Sequence, residues 1–287
     1  MMLDFCKMHG LGNDFMVVDL LRQDAQFRPD TVRALANRRT GVGFDQLLLI
    51  EAPSDPDCDF RYRIYNADGS EAEHCGNGSR CIARFVMDKG LAFGQRIRLQ
   101  MASGSIETRI LDNGLVTVDM GAPQLDPAAI PFAAITQAVV YPLHLAATGQ
   151  TLEISALAMG NPHAVLLSDD IHTAPVAALG PLIECHPDFP RRVNAGFMQV
   201  LNRGRIQLRV FERGAGETSA CGTGACAAVV AGQLRGLLDH RVTVVLTGGE
   251  LDIEWQGGNS PVLMTGPAVT VFDGKIDYRL MSAGTSI

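Results

Sequence analysis

Short apolar runs rich in β-branched and aromatic residues punctuate the chain at residues 15–18, 47–50 and 62–65, and again at 97–99, 106–110 and 116–118. Runs of this length between Gly, Pro, Asn and Asp predict strands. A different period separates the two groups. Ile82, Phe85 and Val86 share one face of a helix that Gly90 ends. Further on, Ala225, Cys226, Ala227, Ala228, Val229, Val230 and Ala231 are apolar all round, which predicts a buried helix stopping near Gly236. Strands before and after a buried helix predict a sheet wrapped around it, and hence an α+β fold.

The pattern occurs twice. Residues 63–78 read R-I-Y-N-A-D-G-S-E-A-E-H-C-G-N-G and residues 209–224 read R-V-F-E-R-G-A-G-E-T-S-A-C-G-T-G. Arg63 meets Arg209, Glu71 meets Glu217, Cys75 meets Cys221, Gly76 meets Gly222 and Gly78 meets Gly224. Three weaker fragments follow the same order: Gly12-Asn13 with Gly160-Asn161, Gly43-Phe44-Asp45-Gln46 with Gly196-Phe197-Met198-Gln199, and Val118-Asp119-Met120-Gly121 with Leu263-Met264-Thr265-Gly266. Two homologous, pseudo-symmetric lobes are therefore expected, each a mixed or antiparallel sheet around a central helix. Residues 120–150, rich in Pro and Ala, join them. The period is too long for a solenoid.

Composition narrows the chemistry. Of 287 residues, 24 are Lys or Arg and 31 are Asp or Glu, a net charge of −7. That balance argues against nucleic acid and against anionic membrane, both of which select a basic footprint. The sequence has no run of about 18 apolar residues, and its N-terminal stretch, broken by Asp4 and Lys7, is no signal-peptide core. A cytoplasmic location is expected, with all seven cysteines reduced. Three lysines, Lys7, Lys89 and Lys275, are the whole supply. None sits in a P-loop or in a setting that suggests a pyridoxal-phosphate Schiff base. The glycine-rich segments give no G-x-G-x-x-G in a βαβ setting.

The duplicated C-G-x-G elements carry the candidate chemistry. Each places a cysteine where a strand gives way to a helix. Unpaired backbone N–H groups there bind anions and favour a thiolate. A fall of ~1.5 pKa units corresponds to about 2 kcal/mol, the upper end of what a helix terminus supplies. Facing lobes would present Cys75 and Cys221 to one carbon from opposite sides of a cleft, an arrangement that inverts a stereocentre by acid–base catalysis without a cofactor. Cys6, Cys58 and Cys185 are expected as small buried hydrophobes, and Cys81 and Cys226 as helix core. Zinc is disfavoured, because C-x5-C and C-x4-C miss the usual ligand spacing. C-x-x-C is absent, which speaks against a disulfide oxidoreductase. Glu71 and Glu217 read as residues that cap the helix region, and His9 and His74 as structural or surface residues.

These residues resemble the diaminopimelate epimerase family. The motifs are H-G-L-G-N-D-F at 9–15, G-V-G-F-D-Q at 41–46, N-A-D-G-S-E-A-E-H-C-G-N-G at 66–78, G-N-P-H at 160–163, G-F-M-Q at 196–199 and E-R-G-A-G-E-T-S-A-C-G-T-G-A-C at 212–226. The resemblance spans nearly the whole chain. It implies interconversion of LL- and meso-2,6-diaminopimelate, a step towards lysine and peptidoglycan, with neither metal nor pyridoxal phosphate, and commonly as a homodimer. It implies an N-terminal lobe of residues 1–119, completed by a C-terminal strand within 267–287, and a second lobe of residues 120–266. Cys75 and Cys221 would be the two acid–base thiols. Asn13, Gln46, Asn66, Asn161, Asn194, Glu212 and Arg213 would contact substrate. Backbone N–H groups at Gly76, Asn77, Gly222 and Thr223 would hold the reacting-end carboxylate. His163 and Glu212 would tune the cysteines. The residue types suit a substrate with an amino-acid head at each end. Asn and Gln donate and accept at once, and Arg pairs a carboxylate through two hydrogen bonds.

Two rival readings remain open. One is a proline-type racemase or an isomerase on the same scaffold. The other is a thiol redox sensor or metal-binding protein. Facing thiols also predict that mild oxidation joins Cys75 to Cys221 and abolishes activity.

Overall fold

A computed structural model describes residues 2–72, 75–102 and 104–278. His74, and residues 279–287 of the expected C-terminal strand, lie outside that set. Chain order in the first part is β1 (Met2–Gly10), β2 (Asn13–Asp19), α1 (Pro29–Ala36), β3 (Gln46–Glu51), β4 (Phe60–Asn66), β5 (Glu71–Ala72), α2 (Gly76–Asp88), β6 (Arg96–Met101), β7 (Gly104–Ile110) and β8 (Val116–Asp119). It continues with β9 (Tyr141–Leu145), β10 (Gln150–Ala158), β11 (Pro162–Leu167), α3 (Val176–Glu184), β12 (Asn194–Asn202), β13 (Arg205–Glu212), β14 (Gly216–Thr218) and α4 (Gly222–Leu234). β15 (Arg241–Leu246), β16 (Gly249–Trp255), β17 (Val262–Gly266) and β18 (Val269–Asp277) complete it. The chain forms two compact units, one of Met1–Val118 with Gly266–Ile287, the other of Asp119–Thr265.

The first unit is a mixed sheet in the order β18-β1-β2-β3-β4-β6-β7-β8, with β5 as a hairpin partner of β4. β2–β3 and β4–β6 are the parallel pairs. α2 packs against β1, β2, β3, β7 and β18, so the sheet bends around it. α1 covers the outer face: Val32, Leu35 and Ala36 join Leu3, Met16, Val18, Leu47 and Leu49 in one cluster. Strands β2 and β3 are buried on both faces, which accounts for their unbroken apolar runs.

The second unit repeats this topology as β9-β10-β11-β12-β13-β15-β16-β17, with β14 on β13. α4 packs against β10, β11, β12, β13, β15 and β16, and α3 takes the outer place. Residues 225–231 of α4 are fully buried, as an all-apolar helix must be. Gly90 and Gly236, both left-handed (φ +64° and +72°), stop the two central helices. Sequence patterning missed β1 and the two short proline-bearing helices α1 and α3.

Strand register corrects two of the fragment alignments. In the first unit Phe15 lies opposite Gln46, Gln46 opposite Asn66, and Tyr65 opposite Glu71. In the second, His163 lies opposite Asn194, Ala195 opposite Phe211, and Phe211 opposite Glu217. Asn13 thus matches Asn161, Gln46 matches Asn194, and Asn66 matches Glu212. Gln46 does not match Gln199, which instead accepts from Ile171 N (3.0 Å) and donates to Asp169 O (2.9 Å) to fasten the loop before α3. Farther along, Ile97–Thr108–Val118 and Val242–Ile253–Met264 are the equivalent cross-strand rows. Val118 is equivalent to Met264, not Leu263; a one-residue slip would turn the side chain to the wrong face.

Other expectations also change. Glu71 and Glu217 do not cap a helix. Each pairs its matching arginine across the hairpin, Arg63 Nε to Glu71 Oε1 at 2.8 Å and Arg209 Nε to Glu217 Oε1 at 2.6 Å. Both pairs are two-pronged, so the repeated Arg and Glu fix the hairpin that delivers each cysteine. Cys185 is exposed at the C-terminus of α3, whereas Cys6, Cys58, Cys81 and Cys226 are buried. Among the described residues no helix is long and apolar enough to cross a membrane.

Candidate active site

Cys75 and Cys221 are the N-cap residues of the two central helices, both with extended backbone (φ −150°, ψ 104° and φ −114°, ψ 104°). An N-cap residue turns its side chain back over the first helical N–H groups. Cys75 Sγ accepts from Gly78 N at 3.3 Å. The second glycine of each C-G-x-G lies close against the thiol and a neighbouring strand. A Cβ on Gly78 would come within 3.3 Å of Leu48 and 3.5 Å of Cys75 Sγ. On Gly224 it would meet Val210 at 3.0 Å and Cys221 Sγ at 3.2 Å.

In the first unit Cys75 is half-buried, and Asn13 Oδ1 lies 3.9 Å from its Sγ. Asn77 Nδ2 donates to the same oxygen at 3.3 Å. Gln46 Nε2 donates to Asn66 Oδ1 at 2.9 Å, and Asn66 Nδ2 to Ser70 Oγ at 3.0 Å. Gln46 Oε1 is buried with no hydrogen-bond partner among the described residues, an acceptor available to a ligand ammonium or amide. Asn13, Gln46, Asn66, Cys75, Gly76 and Asn77 therefore come from β2, β3, the end of β4 and the start of α2.

In the second unit Cys221 is buried and donates to Glu212 Oε2 at 3.1 Å. Thr218 Oγ1 holds the other carboxylate oxygen. Burial, then the Glu212 charge and the hydrogen bond to it, push the Cys221 thiol up, well above its ordinary value. Thr223 and the Gly224 N–H pull the other way and are outweighed. The thiolate expected from the helix terminus is thus overruled in this state: a helix end supplies at most about 2 kcal/mol, less than burial beside a carboxylate removes.

His163 is buried, and burial, with a smaller contribution from the Arg213 charge, pushes it down to about 3, so the ring is neutral at pH 7. Its Nε2 lies 2.9 Å from Asn161 Oδ1. Asn194 is spoken for by backbone: Nδ2 donates to Pro162 O (3.0 Å) and Oδ1 accepts from Arg213 N (2.9 Å). It holds the turn that carries Arg213, whose guanidinium reaches Arg191 O at 3.1 Å from an exposed position. Glu184, missed in the sequence, fixes the same turn through Gly214 N (2.8 Å). Asp45, Arg38 and Arg80 were also missed; Asp45 sits inside G-V-G-F-D-Q beside Gln46, and Arg38 and Arg80 lie outside every quoted motif.

A sequence model of the family described as diaminopimelate epimerase matches residues 5–125 and 155–271. The chain belongs to the diaminopimelate epimerase family. The diaminopimelate epimerase of Pseudomonas entomophila is 60% identical over 276 residues, 96% of this chain and 99% of that one. The diaminopimelate epimerase of Aromatoleum aromaticum is 59% identical over 277 residues, with the same coverage. Solved structures extend the fold well beyond this family. A hydroxyproline epimerase from Agrobacterium vitis matches with a TM-score of 0.68 at 18% identity, covering 96% of this chain and 92% of that one. A methylitaconate-delta-isomerase matches at 0.66 and 12% identity, covering 100% and 98%. At such identities the likeness concerns fold alone.

Proposed function

We propose that this member of the diaminopimelate epimerase family interconverts LL- and meso-2,6-diaminopimelate by two-thiol proton transfer, as a cytoplasmic homodimer. One observation carries the mechanism: two units of the same topology each present a cysteine at the N-cap of the central helix, in equivalent registers. The reading requires both thiols to reach one α-carbon from opposite faces. One, ionised, takes the α-proton; the other, protonated, returns a proton to the opposite face. The reverse reaction exchanges the roles.

The two cysteines differ where the strand registers are equivalent. Cys221 has the Glu212 carboxylate beside it, while the matching position in the first unit is the neutral amide of Asn66. Cys221 thus enters the cycle protonated, and Glu212 is placed to exchange that proton between turnovers. N–H groups at Gly76, Asn77, Gly222 and Thr223 would hold the reacting-end carboxylate, where developing carbanion charge collects. Neutral His163 and Asn161 would offer one set of substrate contacts, Gln46 Oε1 and Asn66 the other amide contacts, and Arg213 a carboxylate partner. A reducing compartment fits two working thiols. The homodimer draws support from β18, which pairs only with β1 among the described strands and exposes Val269, Val271 and Phe272.

Proton exchange at the α-carbon of LL-diaminopimelate in D2O, with reduced protein and no added pyridoxal phosphate, is the test. Deuterium incorporation with appearance of the meso form is expected, and loss of both in Cys75→Ser and in Cys221→Ser. Full rates in both variants would overturn the mechanism. Exchange of proline with none of diaminopimelate would overturn the substrate.

A further inference from the structure

We propose that Arg80 and Asp45 are positioning residues: from opposite ends they fix the polarity of two side-chain amides, Asn77 and Asn13, and so turn the Asn13 oxygen towards the Cys75 thiol. The proposal rests on the two-thiol mechanism. Arg80 Nη2 donates to Asn77 Oδ1 at 2.9 Å, Asn77 Nδ2 donates to Asn13 Oδ1 at 3.3 Å, and Asn13 Nδ2 donates to Asp45 Oδ2 at 3.1 Å. An amide can be turned end for end with little change of shape, so geometry alone does not choose its direction. Guanidinium has donors and no acceptor; an ionised carboxylate has acceptors and no donor. With one at each end, the chain runs in a single sense.

Both ends are anchored. Arg80 is fully buried in α2, its Nε donates to Pro267 O at 3.1 Å, and a Cβ on Gly10 would come within 3.0 Å of Nη2. Asp45 Oδ2 also accepts from Asp14 N at 3.1 Å, and its Oδ1 accepts from Arg38 Nη2 at 2.9 Å. Arg38 in turn holds both oxygens of Asp14 (2.7 and 2.9 Å), whose other neighbour is Lys7. Against the cost of burial, those hydrogen bonds hold the Asp14 carboxyl well below the usual range.

The blander account is that these charges merely tie strands together. The second unit argues against it. It builds the same ladder with Val193 in the place of Asp45, Cys226 in that of Arg80 and Thr223 in that of Asn77. There Asn161 turns its oxygen to His163 instead. The fold does without the chain; the Cys75 side keeps it.

The test uses the full-length protein with LL-diaminopimelate and separates KM from kcat. Asp45 is half-exposed (46%) and tolerates substitution better than Arg80. Asp45→Ala is expected to lower kcat/KM tenfold or more through KM, about 1.4 kcal/mol, the scale of one hydrogen bond to a charged group. Asp45→Asn keeps an acceptor towards Asn13 and Asp14 N and is expected to recover to within about threefold of wild type. Arg80→Met should reproduce the KM defect and Arg80→Lys should relieve part of it. Melting temperatures of the Asp45 pair, measured alongside, should agree. The proposal is overturned if Asp45→Ala stays within about threefold of wild type, if Asp45→Asn is as impaired as Asp45→Ala, or if the loss follows the melting temperature. A wild-type protein inactive on diaminopimelate would instead overturn the functional reading itself.

Discussion

Replacing Glu212 by Gln tests the electrostatics at Cys221. The thiol donates to Glu212 Oε2 at 3.1 Å, and it is buried. Ionising it puts a second negative charge against the first. Two unit charges about 4 Å apart interact by roughly 4 kcal/mol at an effective dielectric constant of 20, which is about three pKa units. Glu212→Gln removes that repulsion but leaves the burial penalty, so the thiol should titrate at least one unit lower and still not as a free cysteine would. The assay is iodoacetamide alkylation from about pH 7 to about pH 11 with the modified peptides resolved by mass spectrometry, since the thiolate is the reacting species. The midpoint at Cys221 should fall; epimerase turnover should fall at the same time, because the proton store is gone. A Cys221 midpoint that is unmoved or higher in a variant of unchanged melting temperature would refute the argument.

Two further outcomes follow. His163 titrates near 6.5 when unfolded but is pushed down to about 3 by burial, so the unfolded chain binds the extra proton and stability falls as pH drops from about 6.5 towards 3. Urea unfolding of His163→Phe, which copies Phe15 of the first unit, should lose about 2 kcal/mol less than wild type between pH 7 and pH 5; parallel losses would sink the point. Phe272→Asp, placed on the exposed face of β18, should convert a dimer to monomers in sedimentation experiments, and a variant that sediments as wild type does would remove β18 from the interface.

The chemistry of this chain was more legible in its sequence than the geometry that supports it, and the reason lies in what a motif records. A C-G-x-G turn repeats because an N-cap thiol, an open helix end and a glycine without a Cβ must occur together, so local spacing reveals it. Arg63–Glu71 and Arg209–Glu217 repeat for the same local reason, a hairpin two strands wide, although spacing alone does not tell such a pair from a helix cap. Gly43–Gln46 and Gly196–Gln199 look alike and are not equivalent. The connections through α1 and α3 are equal in length, and the pairing of Phe15 with Gln46 and of His163 with Asn194 puts Gln46 on Asn194 rather than on Gln199. That register gives Asn66 and Glu212 equivalent places, and so locates the asymmetry between the two thiols at one amide-for-carboxylate exchange. Whether Cys221 holds its proton was not readable either, because burial and the approach of Glu212 are set by tertiary packing and oppose what the helix terminus alone would do. Asp45 and Arg80 lie 35 positions apart in sequence yet both orient amides beside Cys75. Long-range polar chains of this kind have no spacing signature; they emerge only when each donor and acceptor in the folded unit is followed to its partner.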